Sequence, residues 1–185
     1  HDINVEDCLK EAKKYDHVII HTSTPSLPND CKVAEAIKEQ SHSTQIGFVG
    51  AHTVVLPEET LTSSWAIDWV ARGEFDYTCK EISEGRPFSE VKGIVYKAKD
   101  GKIVSNPERE LIQNLDELPW VTDVYKRDLD ITKYSIGYLK EPYISLYTGR
   151  GCPSRCTFCL WPQTIAGHTY RVRSADNVVA EMSHA

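Results

Sequence analysis

Three thiols stand close together in this sequence: Cys152, Cys156 and Cys159, within Thr148–Gln163, TGRGCPSRCTFCLWPQ. Thiolates are the usual ligands of iron–sulfur clusters, and three on one short loop can hold three corners of a cubane and leave its fourth iron open. An open iron is a Lewis-acid position at which chemistry can occur. Gly149 and Gly151 would let the backbone fold tightly enough to bring the thiols to one point. A structural zinc site is the first alternative. It needs a fourth ligand, which would have to be His168 or a distant cysteine, and paired Cys-x2-Cys knuckles are absent. Three unrelated thiols are the second alternative, although free cysteines rarely gather on a glycine-rich loop.

The other cysteines, Cys8, Cys31 and Cys79, are widely scattered. Small secreted scaffolds distribute cysteines along the chain for cross-linking, whereas a tight trio reads as a metal site in a reducing, cytoplasmic setting. The net charge of −6 is uneven: residues 1–120 carry 13 basic and 21 acidic groups, and residues 121–185 carry 8 and 6. An acidic front half excludes nucleic acid as a partner, since phosphate binding needs a basic face. The small basic excess at the back includes Arg150, Arg155, Arg171 and Arg173, enough for a small anion. Arg171 and Arg173 themselves read as the solvated edge of a strand, because exposed charges contribute little.

At 185 residues, 41% hydrophobic and 26% charged, the chain has ordinary globular composition and the length of one domain or slightly more. No run approaches the roughly 18 apolar residues of a membrane-spanning helix. The sequence opens at His1 without a charged-then-apolar leader, and its one methionine is Met182. The expectation is a piece of a longer protein with no secretory signal.

The elements that would position the thiols follow from pattern. Apolar residues at helical spacing mark a helix over Val5–Lys14. His17–Ile20, Gln45–Val49 and Ile67–Ala71 are short apolar runs suited to buried strands. The Thr/Ser/Pro-rich stretch Thr22–Asn29 reads as a loop, with Asp30 capping a helix over Cys31–Gln40. Pro57 suits the first position of a further helix, and Asp76–Ile82 reads as a short one. Strands alternating with helices indicate crossover units and a parallel sheet, covered on both faces. Gly93–Ala98 and Lys102–Val104 flank Asp100-Gly101, a strong hairpin signal. Asn106–Lys140 is irregular and reads as connecting sequence. Tyr143–Tyr147, YISLY, reads as a buried strand leading into the cysteine loop, and Ser174 caps a last helix over Ala175–Met182.

The cysteine loop, a strand followed by Cys-x3-Cys-x-Phe-Cys, resembles the signature of the radical S-adenosylmethionine enzymes, most strongly over residues 143–163. The resemblance implies a [4Fe–4S] cluster on Cys152, Cys156 and Cys159, with S-adenosylmethionine on the open iron and the backbone near Phe158 against the adenine. It implies reductive cleavage to a 5′-deoxyadenosyl radical, fed by an external donor of flavodoxin or ferredoxin type.

The front of the chain carries a second resemblance. HVIIHTSTPS, FVGAHTVVLPEET, IDWVARGEFD and LIQNLDELPW follow one another as in the cobalamin-binding, Rossmann-like domain that precedes the barrel in one class of those enzymes. Ligands of such sheets bind outside the carboxyl ends of the strands. The loops Thr22–Ser26, Gly50–Thr53 and Arg72–Glu74 fall at that edge. The resemblance implies cobalamin there, with Thr22, Ser23, Gly50 and His52 as contacts. Finally, CTFCLWPQTIAGHTYRVRS resembles the subgroup associated with hopanoid biosynthesis, which implies a small-molecule or lipid substrate and, for a lipid, peripheral contact with a membrane. Trp161 and Pro162 read as packing residues.

The expectation is therefore an α/β chain in three parts. Residues 1–120 form an incomplete Rossmann-like, cobalamin-binding-type parallel sheet, 121–140 a linker, and 141–185 the first β/α unit of a partial TIM barrel. The alternative is a non-catalytic corrinoid-binding or metal-binding module.

Overall fold

Short apolar runs gain most when buried on both faces. Gln45–Val49 and Trp69–Ala71 are buried in that way, whereas His17–Ile20, expected to be buried, lies half-exposed as an edge strand of the sheet. The computed structural model describes residues 5–185; residues 1–4 of the expected front domain lie outside the described residues. Five strands form one sheet in sequential order: β1 (His17–His21), β2 (Gln45–Val49), β3 (Trp69–Ala71), β4 (Ile94–Lys97) and β5 (Ile103–Ser105). β1, β2 and β3 run parallel, with His17 opposite Gln45 and Gly47 opposite Trp69. β4 and β5 are antiparallel additions, joined through Gly101 at φ +82° as the Asp-Gly pair predicts.

Alternation along β2 and β3 supplies both layers of the core. Ile46, Phe48 and Val70 face one side, where they pack with Ala34 and Ile37 of α2 (Leu27–Gln40) and Leu61 of α4 (Pro57–Thr62). Val49, Trp69 and Ala71 face the other, where Ile82 of α5 (Asp76–Ser83) and Val91 cover them. α1 (Val5–Ala12) packs beside α2, and α3 (Ala51–Val55) follows β2 directly. Behind the hairpin come α6 (Val121–Asp128), a two-residue ladder between β6 (Gly149–Arg150) and β7 (Arg171–Val172), and α7 (Ala175–His184).

Four expectations are corrected. The second helix starts at Leu27, not after Asp30: Pro28 fits its first turn, and the Asp30 carboxylate accepts the Thr22 hydroxyl at 2.7 Å. The third strand begins at Trp69, after Asp68 has turned its carboxylate onto the Ile46 amide at 2.7 Å. Connecting sequence contains α6, whose Asp123 near the start and Lys126 and Arg127 near the end suit the helix dipole. Tyr143–Tyr147 forms no strand. A strand exists by pairing, and among the described residues none offers this segment a ladder; Tyr147 is 69% exposed. The ladder forms instead at Gly149–Arg150, antiparallel to a segment beyond the cysteines.

Gly47 admits the indole of Trp69 onto β2. A Cβ built at Gly47 would lie 2.0 Å from Trp69 Cζ2, and Trp69 is fully buried. Gly47→Ala should therefore lower stability by roughly 1–3 kcal/mol, the usual cost of overpacking. Urea unfolding followed by far-UV circular dichroism checks this, and an unchanged midpoint would contradict the packing described.

Candidate functional site

Three loops leave the parallel strands at one edge, and each is held there by its own polar groups. After β1, Thr22 is fully buried, and Ser23 and Ser26 share a hydroxyl–hydroxyl hydrogen bond of 2.9 Å. After β2, Gly50 adopts φ +118°, where a Cβ would lie 2.4 Å from the Thr22 carbonyl oxygen, so only glycine lets the two strand ends close. Thr53 then donates its hydroxyl to both Gly50 O at 2.8 Å and Ala71 O at 2.7 Å, tying this turn to the end of β3. Beside them His52 is 5% exposed. Its Nδ1 stands 3.0 Å from Thr24 Oγ1, and its Nε2 is buried without a hydrogen-bond partner. Buried polar atoms are rarely left unpaired, so this nitrogen at the sheet edge suits a ligand.

The turn after β3 carries Glu74, which the sequence marks only as part of Arg72-Gly73-Glu74. Its side chain is 1% exposed. Both carboxylate oxygens accept from Arg171, each at 2.9 Å, and one also accepts the Ile112 amide at 2.8 Å. Arg150 adds a longer contact of 3.4 Å. Arg171 donates further to the carbonyls of Ile112 and Ala166. Arg150 makes a two-pronged pair with Asp76 at 2.7 and 3.0 Å, and these bonds hold its guanidinium above the usual range against the effect of burial.

The expectation that Arg171 and Arg173 form a solvated edge is thus overturned. Arg171 is 6% exposed, and Arg173 pairs with the fully buried Glu181 of α7. A lone arginine in sequence looks like surface; its partner 97 residues away leaves no local signal.

This clamp sets the cysteine loop above the strand edge. A cavity of about 440 Å³ lies between them, bounded by His21 and Phe75 on the sheet side and Gly151, Cys152, Trp161 and Ile165 on the loop side. A second cavity, of about 330 Å³, is walled by Leu118, Trp120 and Val124, and the two share Asp76, Tyr147 and Arg150. Gly151 is required by close approach: at φ +83°, a Cβ there would meet Thr169 O at 2.1 Å. The Cys152 amide donates to Gly167 O at 3.2 Å, and the Cys159 amide closes a turn onto Cys156 O at 3.2 Å. Cys152 and Cys156 are exposed, Cys159 is half-buried, and all are free thiols. Phe158 is 89% exposed. Pro162 is buried, as expected of a packing residue, whereas Trp161 is 58% exposed beside the cavity.

Among the described residues no three His, Cys, Asp or Glu side chains are gathered closely enough to hold a metal ion. The three thiols share one loop but do not converge. Their chemistry still fits a cluster: three free, accessible sulfur donors lie on a segment with no ladder between Gly151 and Cys156. Cys31 and Cys79 are unsuited. Burial, aided by Asp76, pushes the Cys79 thiol up to about 12, and burial with Glu35 and Asp30 raises Cys31. A thiol kept protonated is a poor ligand.

No protein-family model matches the chain. It is 34% identical to an uncharacterized methyltransferase of Pyrococcus horikoshii, over 98% of this chain and 39% of that protein. It is 28% identical to a hopanoid C-3 methylase of Methylococcus capsulatus, over 98% and 35% of the two chains. An anaerobic magnesium-protoporphyrin IX monomethyl ester cyclase of Rubrivivax gelatinosus is also 28% identical, over 86% and 29%. Among solved structures, the cobalamin-dependent radical enzyme OxsB, with aqua-cobalamin and S-adenosylmethionine bound, superposes with TM-score 0.71 at 18% identity. It covers 97% of this chain and 25% of that one. The radical S-adenosylmethionine methyltransferase TsrM of Kitasatospora setae, with cobalamin and a [4Fe–4S] cluster bound, gives 0.64 at 20%, over 97% and 37%.

Over 97% of its length the chain therefore shares the fold of OxsB and of TsrM. The chain spans 29–39% of the length of the curated relatives named here. No helix among the described residues is long and apolar enough to cross a membrane.

Thiol accessibility supplies a direct check. Brief treatment of the cluster-free protein with iodoacetamide at neutral pH, read by mass spectrometry, should label Cys152 and Cys156 while Cys31 and Cys79 stay unmodified. Labelling of Cys79 at a comparable rate would contradict its burial.

Proposed function

We propose that the complete protein is a radical S-adenosylmethionine enzyme, and that Cys152, Cys156 and Cys159 hold its [4Fe–4S] cluster. The observation that carries this is the trio of free thiols on one glycine-turned loop, whose Cys152 lines a cavity at the carboxyl edge of a parallel sheet. When bound, the cluster supplies the electron for reductive cleavage of S-adenosylmethionine to a 5′-deoxyadenosyl radical. The residues of this chain supply position. Gly151 brings Cys152 against the Ala166–Thr169 segment, and the backbone at Phe158 stands open for the adenine.

The strand edge is the proposed seat of cobalamin. Thr22 and Gly50 shape the closure of the strand ends, while Ser23 and the unpaired Nε2 of His52 offer polar contacts. Cobalamin-containing OxsB and TsrM support this reading through their shared fold.

For the reaction we propose methyl transfer, because two of the curated relatives are named for it. For the substrate we propose a hopanoid or similar amphiphilic lipid side chain. The hopanoid methylase among the relatives supports this, as do the apolar side chains of Tyr147, Leu160 and Trp161 exposed around the loop. Such an enzyme would draw on a flavodoxin- or ferredoxin-type donor, work in the cytoplasm and meet its substrate at the membrane surface. Residues 1–120, 121–140 and 141–185 would then serve as cofactor domain, linker and start of the barrel.

Anaerobic reconstitution of the complete protein should yield about four iron and four sulfide per chain. With a reductant it should release 5′-deoxyadenosine from S-adenosylmethionine, and Cys156→Ala should abolish both. Zinc in place of iron, with no 5′-deoxyadenosine, would refute the enzyme reading. Growth with cobalamin should leave corrinoid absorption on the purified protein, and its absence would reduce the front domain to a scaffold.

A further inference from the structure

The cysteine loop and the sheet edge lie far apart in sequence, and no ladder joins them. Among the described residues β6 and β7 pair only with each other. Two carboxylates connect the loop to the edge: Asp76 pairs with Arg150, and the more deeply buried Glu74 reaches both Arg150 and Arg171. From the turn after β3 its carboxylate takes two hydrogen bonds from Arg171 on β7 and a longer one from Arg150 on β6. Arg171 passes the constraint on by donating to Ala166 O at 2.7 Å. The next residue, Gly167, accepts the amide of Cys152. Arg150 reaches Cys152 from the other side, two positions away along the chain. Each step joins groups with few alternatives: a buried carboxylate, a planar guanidinium and backbone atoms.

We propose that Glu74 is a positioning residue: it fixes, through Arg171 and Arg150, where the Cys152–Cys159 loop stands relative to the cavity at the strand edge. This deepens the reading given above, on which it rests for the purpose of the loop but not for the contact itself. Any two cofactors facing each other across that cavity would have their separation set by this carboxylate. The residue lies on the front domain, touches no thiol, and reaches the cysteine loop through the two arginines.

The charges also make the role separable from simple stability. Glu74→Gln leaves Arg171 buried and short of its counter-charge, a costly state. Glu74→Met with Arg171→Met replaces both members by apolar side chains of similar length, and such double replacements often recover stability. A residue serving stability alone would be fully rescued by the double variant. A positioning residue would not, because the loop would still lack its link through Arg171, with only the Arg150–Asp76 pair left to hold it.

The test is hydrogen–deuterium exchange on the complete protein without cofactors, comparing wild type, Glu74→Gln and the double variant, with thermal unfolding in parallel. The double variant should unfold at a higher temperature than Glu74→Gln. In both variants peptides spanning 149–152 and 166–172 should exchange roughly tenfold faster or more, because a local opening has become easier, while peptides of β2 and β3 keep their protection. Unchanged exchange at 149–152 and 166–172 would overturn the proposal. So would a uniform loss of protection that includes β2 and β3, or restored loop protection in the double variant.

A second readout uses the reconstituted protein. Iron content should stay at the wild-type level in Glu74→Gln, while the dipolar broadening between reduced cluster and cob(II)alamin in electron paramagnetic resonance becomes more dispersed. Unaltered broadening would also overturn the proposal. Failure of the wild type to take up iron or cobalamin would instead count against the function proposed above, and the exchange experiment would still decide the role of Glu74.

Discussion

A single carboxylate, almost wholly withdrawn from solvent, organises the relation between the two halves of this chain. Glu74 accepts from two guanidinium nitrogens and a main-chain amide at 2.8–2.9 Å, with a further guanidinium at 3.4 Å. Burying such a charge is favourable only when its lone pairs are used, and removing one partner of a buried pair typically costs roughly 3–5 kcal/mol. The arrangement is therefore close to all or nothing. The turn after β3 keeps its shape, β7 stays beneath the loop, and Ile112 of the connecting segment is held between them by both its amide and its carbonyl. A second buried carboxylate, Glu181, performs the matching task further along. It accepts from Arg173 and from the amide and hydroxyl of Thr122, joining α7 to the start of α6.

Around these polar nodes, the apolar architecture does what parallel strands require. Both faces of β2 and β3 are covered, so the carboxyl ends of the strands form an edge at which backbone and short side chains can approach a ligand. Closing that edge depends on glycine at Gly50, where a side chain would collide with the Thr22 carbonyl. The antiparallel β4–β5 hairpin completes the sheet on the opposite flank from β1.

The features legible in sequence were those with short-range causes. The runs around Val18, Phe48 and Val70 announce strands through β-branching and burial. Asp100-Gly101 announces a hairpin, Ser174 announces α7 by accepting the Asn177 amide, and the spacing of Cys152, Cys156 and Cys159 identifies a donor set. Features decided at long range were not legible. Tyr143–Tyr147 has the composition of a strand, yet composition carries no information about a pairing partner. Arg171 and Arg173 look like surface residues because the carboxylates that bury them are Glu74, far upstream, and Glu181, two turns along a helix. The start of α2 was obscured by Pro28, which reads as a loop residue until its place in the first helical turn is known. Convergence of the thiols is a matter of loop conformation, which spacing alone does not determine.

The contrast between Trp69 and Trp161 has an optical consequence. Trp69 is sealed between the sheet and α5, whereas Trp161 is more than half open to water beside the cavity. An indole in a dry core emits at shorter wavelength and is shielded from soluble quenchers, while one at a wet surface emits further to the red and is quenched by collision. Once Trp65 and Trp120, the other two indoles of the chain, are replaced by phenylalanine, intrinsic fluorescence resolves into a component belonging to the scaffold and one belonging to the mouth of the cavity, and the two can be followed independently without any label.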